Sequence, residues 1–179
     1  MELKYVLTDT RDGIGTITIN RPEIMNTISR RVYAELDQAF DTMEADEAVK
    51  VIIVTGAGEH FGAGHDIGSQ GMRDELDEFP RDLSLKGRVE AMDRGVYFAL
   101  HDKWRNLSKP TIAAIRGYCI MGSWMLAASC DLAIASETAR FADRCRSLEW
   151  RPSRISHALL GTGHQESEGI PVDRRFHRG

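Results

Sequence analysis

Two glycine-containing turns offer backbone N–H groups that could bind an anion. The first lies in the segment HFGAGHD (60–66), and the second is formed by Met121, Gly122 and Ser123. Glycine at a helix entry lets the backbone approach a ligand closely. The N–H groups of a first helical turn have no partner within the helix and carry the positive end of its dipole. Turns of this kind can stabilise an oxyanion.

The elements around the second turn follow the order strand, turn, helix, strand. Trp124 to Ser129 is a helical run that follows the turn directly. Apolar, β-prone runs lie before the turn and after this helical run, and a third such run follows the first helix of the chain. We predict buried strands at Val51 to Val54, Ile112 to Ile115 and Leu132 to Ala135.

The N-terminal half completes an α/β pattern. Apolar and polar residues alternate on both sides of Asp12-Gly13, which is typical of a β-hairpin. From Ser29 to Ala45 apolar residues recur at three- and four-residue spacing, and Ser29 is a suitable helix cap. An amphipathic stretch from about Arg88 to Asn106 predicts another helix. The alternation of strands and helices favours an α/β fold with right-handed crossovers.

Length and composition favour one domain with a hydrophobic core. The chain has 179 residues, 42% of them hydrophobic, and a net charge of −4, so we expect no nucleic-acid partner. It contains no apolar run of the roughly 18 residues that a membrane span needs, and MELKYVLTD does not resemble a signal peptide. We therefore expect no membrane partner and a cytoplasmic location. The three cysteines lack the spacing of metal ligands, so we expect buried thiols and no metal site.

Several motifs together resemble the crotonase superfamily, the enoyl-CoA hydratase/isomerase family. The resemblance covers about residues 3–143 and rests on NRPE with Asn26, VIIVTGAGEHFGAGHDI, KPTIAAIRGYCIMGSWMLAASCDLAIAS and ARFAD. It implies a ββα spiral core as in the ClpP and crotonase folds, a coenzyme A thioester as substrate, no permanently bound cofactor, and homotrimers or hexamers. It also implies that two backbone N–H groups hold the thioester carbonyl, and these map to Ala63 and Gly122.

The physical properties of the two turns agree with that mapping. Chemistry next to a thioester develops negative charge on the carbonyl oxygen, and each preorganised N–H donor can lower the barrier by roughly 3–4 kcal/mol. Backbone donors need only small side chains, as at Ala63 and Gly122. The alternative is that the glycines of the first turn only build a surface loop after a strand.

The resemblance adds a set of candidate coenzyme-binding residues: Arg21, Ala63, Gly64, His65, Asp66 and Ile67. Arg21 could meet coenzyme phosphates or be a solvated surface residue. Asp66 is expected mainly to shape the loop and cap the following helix. His65 could titrate near neutral pH beside the carbonyl, or face solvent or the coenzyme.

The chain departs from the family at the positions that move protons. Hydratases of this family use two glutamates, which would fall at Met125 and near Cys145. Methionine cannot transfer a proton, so the sequence does not support water addition by two glutamates. Asp143 is the nearest candidate acid or base, or else a turn residue. We expect very weak hydratase turnover.

The last part of the sequence does not resemble the family. We divide the chain into an acyl-CoA-binding core (1–143) and a divergent tail (144–179) that lacks the helices expected to close the acyl pocket and form trimers. Codons permitted for residues 160–178, read one base later, can encode the family-like WELGTRKAKEFLLTGDFTG. We therefore expect a frameshift upstream of Leu160 and doubt that this chain forms trimers.

Three functional interpretations follow. The first is a crotonase-type enzyme with an altered C-terminal region, and the second is a non-catalytic acyl-CoA-binding remnant. The third is a serine hydrolase on the related Clp-type fold, with Ser123 at the helix start as nucleophile. That chemistry also requires a histidine base, and His60, His65 and His101 do not lie at suitable motif positions.

Overall fold

In the described part of the chain the main sheet has five strands, and all but one of its pairings are parallel. The computed structural model describes residues 2–70, 73 and 96–142. The sheet order is β1-β2-β3-β4-β6, and β5 and β7 form a separate parallel pair. The strands are β1 (Val6–Arg11), β2 (Ile14–Ile19), β3 (Val51–Gly56), β4 (Thr111–Ile115), β5 (Tyr118–Ile120), β6 (Leu132–Ala135) and β7 (Arg140–Ala142).

Three α-helices pack around these sheets in the described part of the chain. They are α1 (Arg30–Ala45), α2 (Val96–Arg105) and α3 (Gly122–Ser129), and a short 3-10 helix spans Pro22–Ile24. The predicted cap of α1 is confirmed, since the Ser29 hydroxyl accepts a hydrogen bond from the Val32 N–H at 3.3 Å. Residues 88–95 of the predicted second helix lie outside the described residues.

The hairpin of β1 and β2 is confirmed as predicted. Its strands pair antiparallel from Val6↔Ile19 to Arg11↔Ile14. Asp12 and Gly13 have φ angles of +52° and +82°. Two successive residues with positive φ give the turn whose twist matches that of the strands, and Gly13 adopts this conformation without steric cost.

The predicted core strands form, but one of them is not buried. In β3 and β4 every second residue is buried, including Ile52, Val54 and Ala113. All four residues of β6 are exposed, with Leu132 at 61% and Ile134 at 63%. The prediction of burial was wrong there because both faces of β6, the edge strand of the described sheet, are left uncovered.

Candidate active site

The two glycine-containing turns lie side by side. Gly62 forms a parallel bridge with Cys119 of β5, donating to the Tyr118 carbonyl at 2.8 Å and accepting from the Ile120 N–H at 3.0 Å. At Gly64, φ is +95°, and a Cβ would come within 2.9 Å of the Ile120 carbonyl oxygen. Gly64 therefore permits both the backbone conformation and the close approach that bring the predicted motifs together.

The Ala63 N–H already has an acceptor. It donates to the Met25 carbonyl at 2.9 Å. The next N–H along the chain, that of Gly64, donates to the buried Ser123 hydroxyl at 3.0 Å. Placing the thioester carbonyl on Ala63 does not fit this structure, because its N–H is held within the loop.

The backbone N–H of His65 points away from the neighbouring backbone of Ile28. A parallel bridge joins His65 to Ile28, which donates to the Gly64 carbonyl at 2.8 Å and accepts from the Asp66 N–H at 2.9 Å. In such a bridge the bonds flank His65, so its own N–H and C=O face the other side. None of the described residues accepts a hydrogen bond from the His65 N–H.

Gly122 provides a second N–H at the same place. It is the buried first residue of α3, so its N–H lacks an acceptor within the helix, and none of the described residues supplies one. A Cβ on Gly122 would lie between 2.6 and 2.9 Å from atoms of the His65 ring. Gly122 and the His65 ring are therefore in contact, and each of these two residues carries an N–H without an acceptor in the described part of the chain.

Ser123 has a structural role in this site. Its side chain is fully buried, and its hydroxyl accepts from the Gly64 N–H. It lies so close to Gly62 that a Cβ there would collide with the hydroxyl oxygen. Among the described residues no histidine hydrogen-bonds to Ser123, so the arrangement disfavours a serine nucleophile.

Arg21, a candidate for contact with coenzyme phosphates, is buried. Its side chain is 2% exposed and pairs with Asp66 at 3.1 Å. The guanidinium also donates to the Thr27 carbonyl at 2.9 Å and lies 4.6 Å from the centre of the Tyr5 ring. This enclosure disfavours phosphate binding by Arg21, and it also excludes the alternative of a solvated surface residue.

Asp66 holds the loop after the first turn. It accepts hydrogen bonds from the Ser69 N–H at 2.9 Å, the Ser69 hydroxyl at 2.6 Å and the Gly68 N–H at 3.3 Å. Burial opposes ionisation, but these bonds and the Arg21 charge outweigh it and lower the pKa of Asp66. The neighbouring Ile67 is 91% exposed. Asp66 is thus an ionised carboxylate engaged in structural contacts.

His65 belongs to an aromatic cluster that the sequence analysis did not predict. Its Nε2 lies 3.2 Å from the Tyr33 hydroxyl, which is also 3.3 Å from Nε2 of His101. The Tyr97 ring packs edge-on against His65 and Tyr33. Burial lowers the pKa of His65 to about 4 and that of His101 to about 3, so both rings are neutral at pH 7. The one sequence signal for this cluster was the position of Tyr33 among the apolar residues of α1, which indicates that its ring is buried.

The positions that should move protons are only partly described. Met125 lies three residues after Gly122 in α3 and is half-buried. Asp143 and Cys145 lie outside the described residues, as does the tail. The first glycine-containing turn carries one acidic side chain, that of Asp66. It is paired with Arg21 and is therefore not available for proton transfer.

Known proteins match both the sequence and the fold. The family model described as enoyl-CoA hydratase/isomerase matches residues 9–148. The hydroxycinnamoyl-CoA hydratase-lyase of Pseudomonas fluorescens is 34% identical over 171 residues, covering 92% of this chain and 58% of that protein. The short-chain-enoyl-CoA hydratase of Clostridium acetobutylicum is 34% identical over 142 residues, covering 79% of this chain and 50% of that protein.

A solved structure agrees with these matches. The crystal structure of a probable enoyl-CoA hydratase from Mycobacterium smegmatis has a TM-score of 0.67 and 38% identity, covering 79% of this chain and 52% of that chain. The fold is therefore the α/β fold of the crotonase superfamily. The chain belongs to the enoyl-CoA hydratase/isomerase family.

The chain spans about half the length of the curated relatives it matches. Among residues 2–70, 73 and 96–142, no helix is long and apolar enough to cross a membrane.

Proposed function

We propose that this chain binds the acyl end of a coenzyme A thioester, whose carbonyl oxygen accepts hydrogen bonds from the N–H groups of His65 and Gly122. The observation that carries the proposal is that His65 and Gly122 are in contact and that neither N–H has an acceptor in the described part of the chain. Gly122 is buried and His65 half-buried, so a carbonyl there would be shielded from water. Hydrogen bonds to developing charge are strongest in such surroundings.

The reaction class that we propose is that of the enoyl-CoA hydratase/isomerase family. Negative charge that develops on the thioester oxygen during addition or proton removal would be stabilised by the two donors, each contributing roughly 3–4 kcal/mol. Asp143 is our candidate for proton transfer, since Asp66 is tied to Arg21. With Met125 in place of a glutamate, we expect crotonyl-CoA hydration to be very slow.

Two ligands that differ in one carbonyl test the binding mode. Isotope-labelled protein is titrated with butanoyl-CoA and with S-butyl-CoA, a thioether that lacks the carbonyl, while amide resonances are followed by NMR. We expect the amides of His65 and Gly122 to shift strongly with the thioester alone. The thioether should bind about 10-fold more weakly, because it loses two hydrogen bonds.

Ala63 is the internal control in this titration. Its N–H is donated to the Met25 carbonyl, so its resonance should change much less than that of His65. Equal affinity for the two ligands, or a largest shift at Ala63, would contradict the proposed donor pair. A non-catalytic binding role is the alternative, and hydration of crotonyl-CoA above the uncatalysed rate would exclude it.

A further inference from the structure

A chain of hydrogen bonds connects helix α3 to the His65 ring through the core. The Ser129 hydroxyl donates to the Met125 carbonyl at 2.9 Å, and Nδ1 of His101 lies 2.9 Å from the Ser129 oxygen. Nε2 of His101 lies 3.3 Å from the Tyr33 hydroxyl, which lies 3.2 Å from Nε2 of His65. The three intermediate residues are each no more than 2% exposed. Water therefore does not replace these contacts.

The carbonyl at one end determines the direction of each hydrogen bond. Ser129 has one hydroxyl proton and gives it to Met125, so the Ser129 oxygen accepts from Nδ1–H of His101. Because burial keeps His101 neutral, its Nε2 is then an acceptor. Burial also raises the pKa of Tyr33, which therefore keeps its proton and donates it to His101. The Tyr33 oxygen is left to accept from Nε2–H of His65.

We infer that this chain holds His65 as the Nε2–H tautomer, so that its Nδ1 accepts a hydrogen bond from a hydroxyl group on the acyl part of the ligand. None of the described residues donates to this nitrogen. The ring lies against Gly122, where a Cβ would be 2.6 Å from Cε1, 2.8 Å from Nε2 and 2.9 Å from Nδ1. Both ring nitrogens therefore lie at the turn that provides the second carbonyl donor, and Nε2 is engaged by Tyr33. This inference rests on the proposed function.

The position of the recognised hydroxyl follows from the geometry of one residue. The N–H of His65 is proposed to bind the carbonyl oxygen, and the imidazole is attached to the same Cα. A hydroxyl that reaches Nδ1 must therefore lie close to the thioester, on the second or third carbon of the acyl group. Because a neutral acceptor has no donor to offer, it favours an O–H over a carbonyl at that carbon.

The tautomer can be tested without any ligand. Nitrogen-15 NMR of the histidine side chains distinguishes a protonated from an unprotonated ring nitrogen. We expect His65 to be protonated on Nε2 and bare on Nδ1, and Tyr33→Phe to allow both tautomers. Tyr97→Phe is the matched control. The Tyr97 ring packs beside His65, but its hydroxyl is not part of the chain of hydrogen bonds. Protonation of His65 on Nδ1 in the unaltered protein would overturn the inference.

The specificity is tested by comparing 2-hydroxybutanoyl-CoA and 3-hydroxybutanoyl-CoA, each in turn, with butanoyl-CoA. We expect one of the two hydroxylated thioesters to bind about 3- to 10-fold more tightly than butanoyl-CoA, a preference that Tyr33→Phe reduces and Tyr97→Phe retains. If Tyr33 had only a structural role, Tyr33→Phe would weaken the binding of hydroxylated and unhydroxylated ligands alike and leave the ratio of their affinities unchanged. That result would contradict the inference. Equal binding of all three ligands by the unaltered protein would overturn this inference alone, whereas failure of all three to bind would overturn the proposed function with it.

Discussion

One hydroxyl connects the two turns of the candidate site. Ser123 accepts the Gly64 N–H and lies beneath Gly62, where a side chain would displace it. A buried N–H left without an acceptor costs about 1–3 kcal/mol. Ser123 therefore positions the loop that carries the His65 N–H, although it is not itself placed to bind the thioester.

Burial of His101 makes stability depend on pH. Its pKa is about 3 in the folded chain against an ordinary value of 6.5, so between these values the unfolded chain binds a proton that the folded chain does not. The effect of His101 on the free energy of unfolding is absent above pH 6.5. As pH falls from 6.5 to 3, protonation of the unfolded chain lowers the free energy of unfolding by about 1.4 kcal/mol per pH unit. We expect His101→Gln to be less stable at pH 7 but to lose less stability on acidification.

Urea unfolding at pH 7, 6, 5 and 4 measures this effect. The variant's free energy of unfolding should fall less steeply with pH than that of the unaltered protein. His65 also contributes in this range, because burial lowers its pKa to about 4 and it is still present in the variant. Identical slopes for the two proteins would show that His101 does not titrate as described.

At the scale of elements, one carboxylate attaches the first strand to the first helix. Glu35 in α1 is fully buried, and its Oε2 accepts from the N–H groups of Lys4, Tyr5 and Val6 at 2.9, 2.6 and 3.0 Å. Its other oxygen pairs with Arg31 at 2.7 Å. The N-terminal segment thus enters β1 with its donors satisfied.

Glu35→Gln should loosen this attachment. An amide keeps one acceptor oxygen but places an N–H₂ group against a donor, so we expect a loss of about 2–4 kcal/mol in the free energy of unfolding. Hydrogen exchange should accelerate at the amides of residues 4–6. Glu47→Gln, at an exposed position, is the control and should change stability by less than about 0.5 kcal/mol. Unchanged exchange at residues 4–6 would contradict the assigned role.

The elements were more predictable than the hydrogen bonds between them. Apolar periodicity and the Asp12-Gly13 turn were sufficient for the hairpin and α1, because these signals are local. The choice between Ala63 and His65 as donor was not predictable, since it depends on a bridge to Ile28, 37 positions from His65 in the sequence (65 − 28). Burial of Arg21 was missed for the same reason: its partner, Asp66, is distant in sequence.

At the scale of the whole molecule, we propose that residues 1–143 form the acyl-CoA-binding core and that a frameshift upstream of Leu160 has altered the divergent tail, residues 144–179. Restoring the family-like reading frame should supply the helices that the family uses to close the acyl pocket. We therefore expect the restored protein to hydrate crotonyl-CoA faster and to form trimers more readily than the chain described here.

Sequencing the coding DNA across codons 140–160, followed by assays of both proteins, tests this proposal. Turnover of crotonyl-CoA and mass in solution should both rise in the restored protein. Equal turnover by the two chains would contradict the frameshift and the importance of the replaced segment.

The order of strands in the main sheet has a consequence for synthesis. In the order β1-β2-β3-β4-β6, each described strand after β1 pairs with one that precedes it in the chain. A nascent chain leaving the ribosome can therefore extend the sheet at one edge, and no strand of this sheet has to wait for a partner on its inner side. At roughly 5–20 residues per second, each crossover gives the previous strand seconds to pair before the next emerges. Loop-closure entropy is then lost in small steps, so this topology suits assembly during translation.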